Sequence, residues 1–161
     1  MDDLGSAGFV TFDEEIFVVF RLAGAEYAVD VDAVLEIIRG PATLTRVPRS
    51  PAFVAGLVDL RGTALPVVDL RTRLGLAPAG PDERQRIVVL AAGGVRAGFL
   101  VDSVAEVARV ARDALGPAPE LTAERARVVS RVANLPGRRR MLLVVQADRL
   151  LTAADRELAG V

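Results

Sequence analysis

Catalysis in this 161-residue chain would have to rest on carboxylates, arginines, hydroxyls and the single Tyr27. Histidine and cysteine are absent, and every one of the twenty cationic side chains is arginine. Without histidine the chain lacks the usual zinc ligand and the group that most readily moves protons near neutral pH. Without cysteine it has no disulfides, thiolate metal sites or thiol nucleophiles. Without lysine it has no Schiff-base or P-loop chemistry. A carboxylate pair such as Asp59 with Asp69 is what remains for acid–base work, and neither residue sits in a supporting motif. The expectation is a protein that is not an enzyme and needs no cofactor and no metal.

Recognition chemistry is better represented. Arg61 in DLRG (59–62) lies beside Gly62 at a predicted hairpin tip, where a solvated arginine is the commonest outcome. Arg138–Arg140 is the only run of three arginines and reads as a solvated hairpin tip. Another protein-interaction module is one alternative, and a small-barrel RNA-binding module is the other. The net charge of −1 and the 4% aromatic content oppose it, as does the lack of a second basic cluster. Apolar runs such as Ile16–Phe20 and Met141–Val145 fall far short of a membrane span. The opening MDDLGSAGF has neither the basic nor the apolar region of a secretory signal. These features predict a soluble protein inside the cell, with no nucleic-acid partner and no direct membrane insertion.

The elements that must position these residues are strands. Valine-rich clusters separated by Gly, Pro and charged residues occur at 17–22, 26–31, 36–40, 56–62, 64–70, 86–93, 96–102, 105–110 and 140–146. Short helical turns are expected at Asp32–Leu35, Pro51–Ala55 and Arg71–Leu74, and a C-terminal helix at 148–159. Sliding the chain by 70 residues on itself aligns Val18 with Val88, Val19 with Val89, Gly24 with Gly94 and Val31 with Val101. It also aligns Asp32 with Asp102, Val34 with Val104, Glu36 with Glu106 and Arg39 with Arg109. A looser echo relates DLRG (59–62) to NLPG (134–137) and LPVVDL (65–70) to LLVVQA (142–147). The repeat predicts a duplicated unit of about five strands, with Gly24 and Gly94 in hairpin turns and Asp32 and Asp102 capping the turn after the second strand. Pro66 and Asp69 read as structural, the proline at an edge or strand start and the aspartate as a cap. Such a unit closes most naturally into a small barrel, so the fold class is all-β with two pseudo-repeated five-stranded barrels packed side by side.

The stretch SPAFVAGLVDLRGTALPVVDLRTRLGL (50–76), with EYAVDVDAVLEIIR (26–39), FLVDSVAEV (99–107) and RMLLVVQADRLL (140–151), resembles the CheW family, the scaffold proteins of bacterial chemosensory arrays. Departures from the family pattern are Asp59 for an asparagine, Arg131 where glycine is frequent, and Gln146 for an acidic residue. The resemblance implies SH3-like barrels, the first mainly 16–75 and the second mainly 84–147. It also implies a C-terminal helix at 148–159 and a flexible segment at 1–15, with the whole CheW-like domain at 16–161. It further implies an adaptor in the cytoplasm at membrane-associated arrays. The expected partners are the regulatory domain of a CheA-type histidine kinase and the cytoplasmic tip of methyl-accepting chemoreceptors. By correspondence, the expected receptor-binding residues are Val34, Glu36, Gly56, Arg61, Val104 and Val107. Core packing is an equal alternative for the valines, and an ordinary strand position for Gly56.

Overall fold

A computed structural model describes residues 13–40, 43–92, 94–135, 137 and 139–151. Eleven strands form: β1 (Glu14–Leu22), β2 (Ala25–Asp30), β3 (Val34–Arg39), β4 (Val54–Leu60), β5 (Thr63–Asp69), β6 (Arg86–Ala92), β7 (Val95–Val101), β8 (Ser103–Ala111), β9 (Leu115–Pro117), β10 (Val129–Leu135) and β11 (Arg140–Val145). Two single-turn helices, α1 (Leu70–Arg73) and α2 (Ala123–Ala126), interrupt them, and α3 follows at 147–151. The remainder of the expected helix at 148–159 and most of the segment at 1–15 lie outside the described residues. Glu14 and Glu15 of that segment already belong to β1.

The strands assemble into a six-stranded sheet, β8-β1-β2-β11-β10-β9, and a five-stranded sheet, β3-β6-β7-β5-β4. Each sheet draws on both halves of the sequence, which corrects the division into barrels at 16–75 and 84–147. The hairpin β1–β2 joins the later strands, and β3, β4 and β5 join β6 and β7. A 3-10 turn at Val31–Ala33 carries the chain from one sheet to the other. Pairing β2 with β11 and β5 with β7 is parallel, and in each pair a long stretch of chain separates the two strands, as parallel neighbours need. The repeat is therefore real, but the copies exchange their first hairpins.

Burial follows from this exchange. Phe17, Val19, Ala28, Leu142 and Val144 fill the six-stranded sheet, while Val58, Leu65, Val67, Ile87 and Val89 fill the five-stranded one. Val18, Phe20, Leu22, Val88, Leu90 and Phe99 form the core between the sheets. The two consecutive valines of each copy thus face different cores, Val18 and Val88 the shared one, Val19 and Val89 the sheet interiors. Strands buried on both faces read as continuous apolar runs, which is the pattern at Ile16–Phe20. Tyr27 is fully buried and stacks on Phe20 with ring centroids 5.8 Å apart. Burial pushes its phenol up, and no surface chemistry is open to it.

Turn chemistry is local. Ala23 and Gly24 both adopt positive φ, 51° and 82°, as do Arg61 and Gly62 at 52° and 86°. Two left-handed residues in sequence make the hairpin turn whose twist matches the strands it joins. The cap of the 3-10 turn is Asp30, which accepts from the Asp32 amide at 2.9 Å, rather than Asp32 itself, because the turn begins one residue early at Val31. No helical turn follows β7, so Asp102 is freed for another role. Asp69 does cap α1, accepting from the Arg71 amide at 3.1 Å. Pro66 pairs with Leu57 just before the parallel pairing with β7 begins at Val67, so its missing N–H interrupts nothing. Pro51–Ala55 is a turn leading into β4, not a helix, because Val54 already pairs with Val68. Sequence reading missed β9, β10 and α2. In β10 the polar Ser130, Arg131 and Asn134 break the apolar signal.

Candidate functional site

Arg61 stands at the tip of the β4–β5 hairpin with its side chain 86% exposed. Asp59 Oδ1 accepts from the Gly62 amide at 2.9 Å, so the aspartate pins the turn just as an asparagine would. A non-glycine residue in the left-handed region costs roughly 1–2 kcal/mol. Arg61 recovers little of that, since its ion pair with Glu36 spans 3.5 Å in the open. Folding alone would favour glycine here. An arginine held in that state, with its guanidinium in solvent, is suited to recognition.

Glu36 belongs to β3, one edge of the five-stranded sheet, and β4 is the other edge. Arg61 of the β4–β5 hairpin reaches Glu36 on β3, and Thr45, on the connection between β3 and β4, exchanges backbone hydrogen bonds of 2.8 Å with Leu57. Gly56 lies beneath this second contact. A Cβ there would stand 2.5 Å from the Thr45 carbonyl oxygen, and φ is 151°. The demand for glycine at 56 is thus met by the chain's own backbone.

The expected residues separate into groups. Glu36 and Arg61 touch. Val34 and Val104 begin β3 and β8, and both pack, half-buried, against the core between the sheets. Val107 is 60% exposed on β8, the edge of the six-stranded sheet. Sequence reading missed Leu35 and Ile37, which are exposed on β3, and Met141, exposed on β11. The repeat offered one signal for them, because Ile37 corresponds to Val107. Both lie at unpaired edges, where large apolar groups in water mark interaction surfaces.

Several charges elsewhere are satisfied internally. Arg71 Nε donates to Asp102 Oδ1 at 2.8 Å and Nη2 to Oδ2 at 2.6 Å, and the Ala23 amide donates to the same carboxylate at 2.9 Å. Burial pushes the Asp102 carboxyl up, but the Arg71 and Ala23 hydrogen bonds with the Arg71 charge bring it below its ordinary value. This pair stands in a polar cleft of about 440 Å³ also lined by Arg21 and by Arg84, which is held by Asp82. Arg131 is bidentate to Glu15 at 2.9 and 3.0 Å, and those hydrogen bonds hold the Glu15 carboxyl low. Arg140 donates to Glu26 at 2.8 and 3.0 Å and to Glu106 at 2.7 Å. Arg140 is therefore half-buried in an ion-pair cluster, which corrects the reading of that residue as part of a solvated tip; Arg139 is exposed in the turn, and Arg138 lies outside the described residues. Among the described residues no group of acidic side chains could hold a metal ion. The arrangement favours docking over chemistry.

Comparison with known proteins follows the same line. The CheW-like domain family profile matches residues 17–155. The chain is 34% identical over 147 residues to a probable chemotaxis protein CheW of Rhizobium etli, covering 91% of this chain and 93% of that one. It is 35% identical over 143 residues to the chemotaxis protein CheW of Rhizobium meliloti, covering 88% and 90%. The crystal structure of the scaffolding protein TtCheW from Thermoanaerobacter tengcongensis superposes with a TM-score of 0.73 at 30% identity, over 81% of this chain and 88% of that one.

Proposed function

This chain belongs to the CheW-like domain family, and from that premise we propose that it joins a CheA-type histidine kinase to the cytoplasmic tips of transmembrane chemoreceptors. It is a non-catalytic chemotaxis adaptor whose partners are components of chemosensory arrays. The finer assignment is our reading. The receptor tip docks at the β3 edge of the five-stranded sheet, which carries Glu36, paired with Arg61, and the exposed Leu35 and Ile37. Val34, Val104, Val107 and Gly56 belong to the same reading, the last by shaping the edge rather than by touching a partner. The kinase regulatory domain binds away from this surface, and the complex sits at membrane-associated arrays. Among the described residues no helix is long and apolar enough to cross a membrane, so attachment there rests on the partners.

One observation carries this reading: a fully displayed arginine held in a left-handed turn that glycine would fill more comfortably. Titrations of wild type and Arg61→Ala against a receptor-tip fragment and a kinase regulatory domain test it. The receptor arm should weaken tenfold or more, about 1–3 kcal/mol, as expected for a central interface contact. The kinase arm should hold. Equal losses for both partners, with a fall in melting temperature, would overturn the assignment.

A further inference from the structure

The duplicated sheets present one end in two different states. In the six-stranded sheet Glu106, Val19, Ala28, Val144 and Arg131 form a row across the strands. The matching row of the five-stranded sheet is Glu36, Val89, Gly98, Val67 and Gly56. Counting outward from these rows, Glu26 corresponds to Arg96, Arg21 to Ala91, and Arg140 to Thr63. Strand alternation places Arg96 on the same face as Gly98 and Leu100, the second of which packs on the inner core of that sheet.

In the six-stranded sheet this end is closed. Arg140 is saturated by two carboxylates, Glu26 and Glu106, and Arg21 approaches Glu26 at 3.7 Å. The five-stranded sheet keeps only Glu36, and the position of the second carboxylate carries a cation. Arg96 is exposed and pairs with no described residue, and Arg61 holds Glu36 loosely. The register thus puts two arginines, Arg96 with no described partner and Arg61 on Glu36, at the end where the other sheet holds two carboxylates.

We propose that Arg96 is a specificity-determining residue that, with Arg61, receives a carboxylate side chain from the docked partner, supplying the acidic group that Glu26 supplies in the other sheet. The proposal rests on the docking reading above and names the partner's chemistry: a helical tip carrying an acidic residue. Desolvated Arg–carboxylate pairs give orientation and partner choice, and truncating one side raises the dissociation rate.

The test is a titration of wild type, Arg61→Ala, Arg96→Ala and Arg96→Glu against a receptor signalling-tip fragment encoded in the same genome, at low and high salt. Arg96→Ala should weaken binding three- to tenfold and flatten its salt dependence, and Arg96→Glu should weaken it more. Charge reversal of the paired acidic residue on the fragment should restore binding to Arg96→Glu. Arg96 is exposed, so unchanged melting curves confirm that the variants fold. If Arg61→Ala weakens binding and both Arg96 variants bind as wild type, the Arg96 proposal is overturned and the docking reading stands. If no variant changes binding, the docking reading itself fails.

Discussion

Replacing Asp102 by alanine removes the tie between α1, which carries Arg71, and the β1–β2 turn at Ala23. The carboxylate accepts two hydrogen bonds from the guanidinium, at 2.8 and 2.6 Å, and one from the Ala23 amide at 2.9 Å. The side chains of Arg71 and Asp102 are 19% and 25% exposed, so water screens the pair only in part. Hydrogen bonds to charged groups are worth about 1.5–3 kcal/mol each when buried. Partial exposure discounts that, and Arg71 keeps its 2.9 Å bond to the Ala77 carbonyl. The expected cost at neutral pH is roughly 2–3 kcal/mol, a melting-temperature loss of about 4–12 °C for a domain of this size. Asp102→Asn keeps an acceptor for Ala23 and should lose about half as much.

Acid provides a second reading of the same contact. The folded-state carboxyl lies below its ordinary value, so the unfolded chain binds more protons between the two. The stabilisation is complete above the unfolded pKa of about 3.9 and disappears as pH falls through the folded value. Urea unfolding at pH 7, 4 and 3 should show the gap between wild type and Asp102→Asn narrowing with acid. A gap below about 0.5 kcal/mol at pH 7 for Asp102→Ala, or one unchanged on acidification, would refute the reasoning.

Two further substitutions probe the sheet ends. Gly56→Ala drives a methyl group to 2.5 Å from the Thr45 carbonyl, and urea unfolding should show a loss of roughly 2–4 kcal/mol together with weaker receptor-tip binding. Arg140→Ala strands Glu26, only 16% exposed, beside Glu106 and should cost about 2–3 kcal/mol by the same assay, whereas Arg140→Lys recovers part of it.

Local chemistry was legible in the residues themselves. Gly24 and Gly62 announce left-handed turns, Asp69 a cap before α1, and the valine-rich clusters between turns the strands from β1 to β8 and β11. The offset of 70 residues announced the duplication, because paired positions such as Val19 and Val89 bear equivalent packing demands. Glu36 and Arg61 were singled out by family resemblance, and the structure places them 3.5 Å apart.

What the sequence could not specify was which strands become neighbours. Periodicity tells a strand which of its faces is apolar, not whose face will cover it, so hairpins exchanged between copies look the same as hairpins kept at home. That choice is made by closure of the two sheets over one shared core, through contacts such as Arg140 with Glu26, 114 residues apart. The same closure turned Asp102 from an expected cap into the partner of Arg71 and made β3 an edge that leaves Leu35 and Ile37 in water. It also left Arg96 at an open end where its counterpart Glu26 stands at a closed one. Residue types set each local conformation because they act within a few bonds; partners and exposure belong to the assembled sheets, where distant strands compete for the same hydrogen-bonding edges.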